Sequence, residues 1–126
     1  MTDITPAVPV GRHLIQTYGA GGFRIAGRTL SGSVIVFPDK TVPWDAKSYE
    51  SISPQSLLAV IDAATDIEVL LIGCGARFGV PRPDIRKALK AVSVVPEWMD
   101  TGAACRTFNV LLSEDRAVAA ALIAVE

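Results

Sequence analysis

Three apolar runs, residues 68–72, 94–99 and 117–125, alternate with two segments of helical spacing, and that order leaves few folds open. In the first helical segment Pro83 and Asp84 suit the opening turn, and Ile85, Ala88, Leu89 and Val92 fall on one stripe. In the second, Asp100 or Thr101 suits the cap of a helix running to about Leu112. The last run is apolar throughout, as strands covered on both faces are. Strand–helix–strand crossovers within one sheet are right-handed and join parallel strands, so a βαβαβ unit is expected here. Pro96 removes a backbone donor from the middle run, which predicts an edge or irregular position.

Upstream of residues 51–54 the character changes. Runs rich in β-branched and aromatic residues at 23–26 and 33–37 read as strands, with Gly27 and Gly32 punctuating the stretch between them. Residues 41–44 follow a turn at Pro38-Asp39, and residues 13–17 are a further candidate strand. Tyr18-Gly19-Ala20-Gly21-Gly22 is a glycine-rich segment. Ser53 and Pro54 open a helix in which Leu57, Leu58, Ile61 and Ala64 share a face. The expected fold class is α/β: a three-layer single domain over residues 1–126, with a mixed β-sheet, a β-rich N-terminal half and a βαβαβ C-terminal half. Residues 1–12 are expected to form a flexible N-terminal segment.

Half of the residues are hydrophobic, enough for a sizeable core. Twelve Lys and Arg against 13 Asp and Glu leave a net charge of −1, and the cations run from Arg12 to Arg116 without an evident stripe. Nucleic acid is therefore not an expected partner. No apolar run approaches the ~20 residues that span a bilayer. Residues 1–10 include Asp3, Pro6 and Pro9 and do not read as a secretory signal, so the expected location is cytoplasmic, or mitochondrial in a eukaryote. Two cysteines and one histidine cannot fill a four-ligand zinc site, and neither metal nor cofactor is expected.

Residues 73–79 lie between a strand and a helix, where ligand-binding loops of α/β sheets sit. In a parallel arrangement Gly73, Cys74, Gly75 and Arg77 would meet Thr101, Arg106 and Asn109 of the next helix, forming a candidate small-molecule or anion pocket. The glycines do not follow a nucleotide-binding fingerprint. A simpler reading is preferred, in which Thr101 caps the helix and Asn109 satisfies loop backbone. Cys74 and Cys105 would lie toward the same edge, and Arg77 or Arg106 could activate a thiol there, but buried structural cysteines are more usual. No catalytic residue is assigned. Trp44 and Trp98 are candidate partner-contact residues, since aromatics anchor interfaces, and an exposed Trp98 would favour an adaptor.

A longer pattern runs through the chain: Tyr18-Gly19 with Gly22-Phe23, Gly32-Ser33-Val34, Trp44, Leu71-Ile72-Gly73-Cys74-Gly75, Met99-Asp100-Thr101, Ala104, Thr107-Phe108-Asn109-Val110-Leu111, Glu114 and Arg116. In order and spacing, from about Ile15 to Ile123, it resembles a family of small domains in bacteria, archaea and mitochondria that includes the mitochondrial complex I assembly factor 3. Cys74 stands where that family more often has a hydroxyl residue, Phe108 where it has tyrosine and Asp115 where it has glycine. The resemblance implies a three-layer fold and a non-enzymatic role in assembling respiratory complex I or other membrane proteins. The implied partner is another protein, a membrane-complex subunit or assembly factor, and a homo-oligomer is compatible with it. The alternative is a small-molecule or anion-binding protein, or an enzyme, built on the 73–79 loop and the Thr101 helix start.

Overall fold

A computed structural model of the protein describes residues 2–3 and 11–126. Strands β1 (Thr2–Asp3), β2 (Ile15–Gly19), β3 (Gly22–Ile25) and β4 (Arg28–Ser31) form an antiparallel sheet in that order. Strands β5 (Val34–Phe37), β6 (Lys40–Pro43), β7 (Val69–Gly73), β8 (Val95–Met99) and β9 (Val118–Leu122) form a mixed sheet in the order β6-β5-β9-β7-β8. The helices are α1 (Leu58–Asp62), α2 (Pro83–Lys90) and α3 (Thr101–Ser113).

The βαβαβ unit is present, with β7 parallel to both β8 and β9. The chain steps outward from β7 through α2 to β8, then back over β7 through α3 to β9. Two right-handed crossovers in opposite directions deliver their helices to opposite faces of the sheet. The core divides accordingly. Ile35, Leu70, Ile72, Ala119 and Ala121 pack with Leu57, Val60, Ile85 and Leu89 on one face. Val34, Val36, Leu71, Ala120 and Leu122 pack with Ala104, Phe108 and Leu112 on the other. Ile15, Phe23 and Ile25 join this second cluster, so the antiparallel sheet and α3 share the third layer. Pro96 lies in β8, the edge strand, as its missing donor requires.

The N-terminal half departs from expectation in one respect: only β5 and β6 join the mixed sheet, while the strands before them form a sheet of their own. The Ala20-Gly21 and Ala26-Gly27 turns, with φ of 54°, 78°, 51° and 79°, have the two positive-φ central residues of tight hairpins. They wind β2, β3 and β4 into a local meander that closes before β5 begins. The stripe expected for α1 is also re-phased, with Leu57 and Val60 buried and Leu58 56% exposed. The segment starts as a 3₁₀ turn at Gln55–Leu57 and becomes helical only at Leu58, so the expected single helical stripe from Leu57 through Leu58 is broken between them. Of the N-terminal segment expected to be flexible, residues 1 and 4–10 lie outside the described residues, whereas Thr2–Asp3 pairs with Thr17 and Tyr18.

Helix α3 is closed at both ends. The Asp100 carboxylate accepts the Ala103 N–H at 2.8 Å. At its far end the Arg116 N–H reaches the Leu111 carbonyl and the Asp115 N–H the Leu112 carbonyl, both at 3.0 Å, with Asp115 at φ 59°. This is a Schellman cap with aspartate in the position that favours glycine. Among the described residues no helix is long and apolar enough to cross a membrane.

Candidate functional site at the carboxyl end of β7

The connections leaving β7 and β8 go to opposite faces of the sheet, which opens a crevice beyond their carboxyl ends. A cavity of about 920 Å³ lies there, walled by Tyr18, Tyr49, Cys74, residues 75–80, Asp100, Gly102 and residues 123–126. Its rim holds Phe78 and Val80, 63% and 74% exposed, on either side of a buried Gly79. A Cβ on Gly79 would stand 2.8 Å from the Tyr49 ring and 2.9 Å from the Cys74 sulfur, so glycine is what lets the loop lie down on them. The loop is held from above as well. The Tyr49 phenol donates to the Val80 carbonyl, and Arg82 donates to the Tyr49 carbonyl at 3.2 Å with its guanidinium over the Tyr49 ring. Burial pushes the Tyr49 phenol above its usual range, so it stays protonated and able to donate.

The sequence-predicted pocket residues divide into two groups. Cys74, Gly75 and Arg77 line the cavity. Gly73, Thr101, Arg106 and Asn109 stand behind its wall or away from it. Gly73 passes so close to α3 that a Cβ would lie 3.1 Å from the Thr101 Cα. The buried Thr101 hydroxyl accepts the Gly75 N–H at 3.0 Å and donates to the Ile123 carbonyl at 2.7 Å, tying the loop after β7 to the end of β9. Arg106 donates to the Tyr18 hydroxyl at 3.1 Å. Asn109 is buried and its carboxamide binds the backbone of Ile15, a structural role as preferred from sequence but served on strand β2 rather than on a loop.

The cysteines do not form a pair, because Cys74 belongs to the core on one face of the sheet and Cys105 to the core on the other. Burial raises the Cys74 thiol, partly offset by the Gly79 and Met99 backbone N–H groups, and pushes Cys105 up to about 12. Both are therefore thiols rather than thiolates at neutral pH, and weak nucleophiles.

Both tryptophans, the candidate partner-contact residues, lie in the core. Trp98 is 8% exposed and Trp44 6%, so neither ring offers a contact face. Alternation along β8 turns Trp98 and Pro96 inward toward α2 and leaves Val95 and Glu97 outside. Arg86 lies over the Trp98 ring at 5.1 Å, and Trp44 donates to the Ser56 carbonyl at 2.8 Å. The exposed apolar residues at the site are instead Phe78 and Val80, which the sequence reading passed over. A usable signal was present: two large apolar side chains in a segment with no periodicity, between Arg77 and Pro81.

The cavity lining includes three acidic residues, Glu50, Asp100 and Glu126, and one basic residue, Arg77. The N-terminus of α3 is already occupied by the Asp100 carboxylate. Within the cavity, as distinct from the outer side of the loop, three acidic residues against one basic residue favour a neutral or cationic group over an anion.

Residues 15–123 match the family described as "Protein of unknown function (DUF498/DUF598)". The chain belongs to the DUF498/DUF598 family. This DUF498/DUF598 chain is 39% identical over 109 residues to NADH dehydrogenase (ubiquinone) 1 alpha subcomplex assembly factor 3 of Xenopus tropicalis, covering 86% of the chain and 60% of that protein. It therefore spans about three fifths of the length of such relatives. An uncharacterized protein of Rhodobacter capsulatus is 36% identical over 109 residues, with 86% of this chain and 82% of that one covered. A crystal structure described as an outer membrane protein of Bartonella henselae superposes with a TM-score of 0.87 at 42% identity, covering 92% of this chain and 98% of that one.

Proposed function

We propose that the protein is a non-enzymatic adaptor or assembly factor in the biogenesis of respiratory complex I, and that it holds its partner at the cavity beyond β7. The observation that carries this reading is the rim itself. Phe78 and Val80 project into solvent from a loop pinned beneath them by Tyr49 and Arg82. Exposed apolar groups on a fixed support, beside a concavity, are what a protein partner can bury. The names of the assembly-factor relatives agree with it. So does the structural employment of Thr101 and Asn109, the polar groups with most claim to a chemical role.

The test is affinity capture from a native extract with membranes included, read by mass spectrometry, comparing wild type with Phe78→Ser/Val80→Ser. Enrichment of respiratory complex I subunits or their assembly factors, lost in the folded variant, is the expected result. Equal recovery with both baits removes the cavity rim from the interaction.

A second reading, a small-molecule binder at the same place, is favoured by the size of the cavity, which at about 920 Å³ lies within the range of ligand pockets. The carboxylates at its mouth then select a neutral or cationic compound. Native mass spectrometry of the purified protein separates the two readings, since a stoichiometric small ligand supports this one.

A further inference from the structure

The charge of the chain is nearly balanced overall but not along its length. Residues 77–90 hold five of the twelve Lys and Arg and one of the 13 Asp and Glu, so this stretch carries four excess positive charges. The remainder of the chain carries five excess negative ones. Folding sharpens the asymmetry. Helix α2 buries Ile85 and Leu89, and its opposite side presents Arg86, Lys87 and Lys90, all exposed. The loop leading into it carries exposed Arg77, Phe78 and Val80.

We infer that residues 77–80 and the outward face of α2 form a docking surface for anionic phospholipid headgroups, with Phe78 and Val80 entering the headgroup–acyl boundary. Three features favour a lipid surface over other polyanions. The cations stand on the outside of a helix, and Arg86, Lys87 and Lys90 line neither the cavity beyond β7 nor the four smaller concavities at Trp44, Ile61, Ala46 and Leu111, so they present an open face rather than a slot shaped for an acidic peptide. Nucleic acid draws on basic and aromatic side chains, whereas Val80 has no π-face on which a base could stack. Cations flanking exposed aromatic and aliphatic side chains are the composition of interfacial membrane segments. The opposite charge on the rest of the molecule adds an orienting force, turning α2 toward a negative surface and the acidic remainder away. Arg86 is held over Trp98 and Arg82 is held against Tyr49 and Asp84, so part of the charge is fixed before contact. This surface shares the 77–80 loop with the cavity but does not depend on what the cavity binds.

The experiment is flotation of the full chain with vesicles of phosphatidylcholine plus phosphatidylglycerol, and with phosphatidylcholine alone, at low and high salt. Wild type is expected to float with the anionic vesicles only and to be released by salt. Lys87→Glu/Lys90→Glu should lower partitioning by roughly fivefold or more per cation. Phe78→Ser/Val80→Ser should lower it by roughly tenfold or more while preserving the salt dependence. All four side chains are exposed, and unchanged circular dichroism and thermal midpoint verify the folds. Absence of flotation overturns the inference, as does equal flotation with both vesicle types or no effect of the lysine substitutions. Binding of a duplex oligonucleotide or polyglutamate without binding of anionic vesicles overturns it too, by assigning the face to another polyanion.

Discussion

The Asn109 carboxamide brackets Ile15, accepting its N–H at 3.0 Å and donating to its carbonyl at 2.8 Å. One side chain on α3 thereby binds both backbone groups of the first residue of β2 and joins the antiparallel sheet to the helix. Replacing it by leucine leaves a buried donor and acceptor without partners, at about 1–3 kcal/mol each. Asn109→Leu should therefore destabilise the fold by about 2–4 kcal/mol in urea unfolding. Asn109→Asp keeps the acceptor and loses the donor, and should not restore wild-type stability.

Thr101 plays the equivalent part at the cavity wall, linking Gly75 and Ile123 through one buried hydroxyl. Thr101→Val preserves shape and removes both bonds, with an expected loss of about 2–3 kcal/mol. Thr101→Ser retains the hydroxyl and should lose clearly less. Equal midpoints for the two variants in chemical denaturation would show that the hydroxyl is not what holds the wall.

The buried Cys105 thiol, pushed up to about 12 from an ordinary value of 9.0, makes stability depend on alkaline pH. The folded state keeps a proton that the unfolded chain releases near pH 9, so stability is unaffected below that value and falls as pH rises toward 12. The slope approaches about 1 kcal/mol per pH unit for one such group. Between these limits wild type should lose stability faster than Cys105→Ala, a difference that cancels the lysines and tyrosines titrating in both. Parallel pH profiles would refute the assignment.

Asp115 occupies the left-handed position of the α3 cap at φ 59°, where a side chain costs about 1 kcal/mol or more. Its ion pair with Arg12 is largely solvent-exposed on the Asp115 side and returns little. Asp115→Gly is expected to raise the thermal midpoint, with a net gain of about 0.5–1 kcal/mol after the extra chain entropy of glycine. A lower midpoint would mean that the contact with Arg12 outweighs the backbone strain.

The C-terminal half was legible because its signals are local and redundant. An apolar run specifies β9, Pro83-Asp84 opens α2, and Pro96 assigns β8 to the edge. Strand β4 was not legible, because Arg28, Thr29 and Ser31 are exposed and leave no alternation to read. It exists because the Ala26-Gly27 turn folds it back onto β3, a backbone property that an alanine conceals. The candidate site was legible as a location, at the carboxyl end of β7. Its working surface was not, since residue type alone does not tell that Thr101 faces inward while Phe78 faces out. The tryptophans were ambiguous for the same reason, because a large aromatic ring fits a core or an interface equally well. The basic stretch at 77–90 was hidden by a chain-wide charge count that cancelled it against acids elsewhere.

Both outer strands of the mixed sheet contain proline, Pro43 in β6 and Pro96 in β8. The Val95 N–H turns inward to the Glu68 carbonyl, so at the next residue along β8 the backbone turns outward, where Pro96 has no hydrogen to offer. Another chain's strand cannot be zipped onto that border without leaving a gap in the ladder. Copies crowded together are thus steered away from fibre-like stacking along β8, and a companion seated on that border must be gripped by side chains rather than by continuation of the sheet.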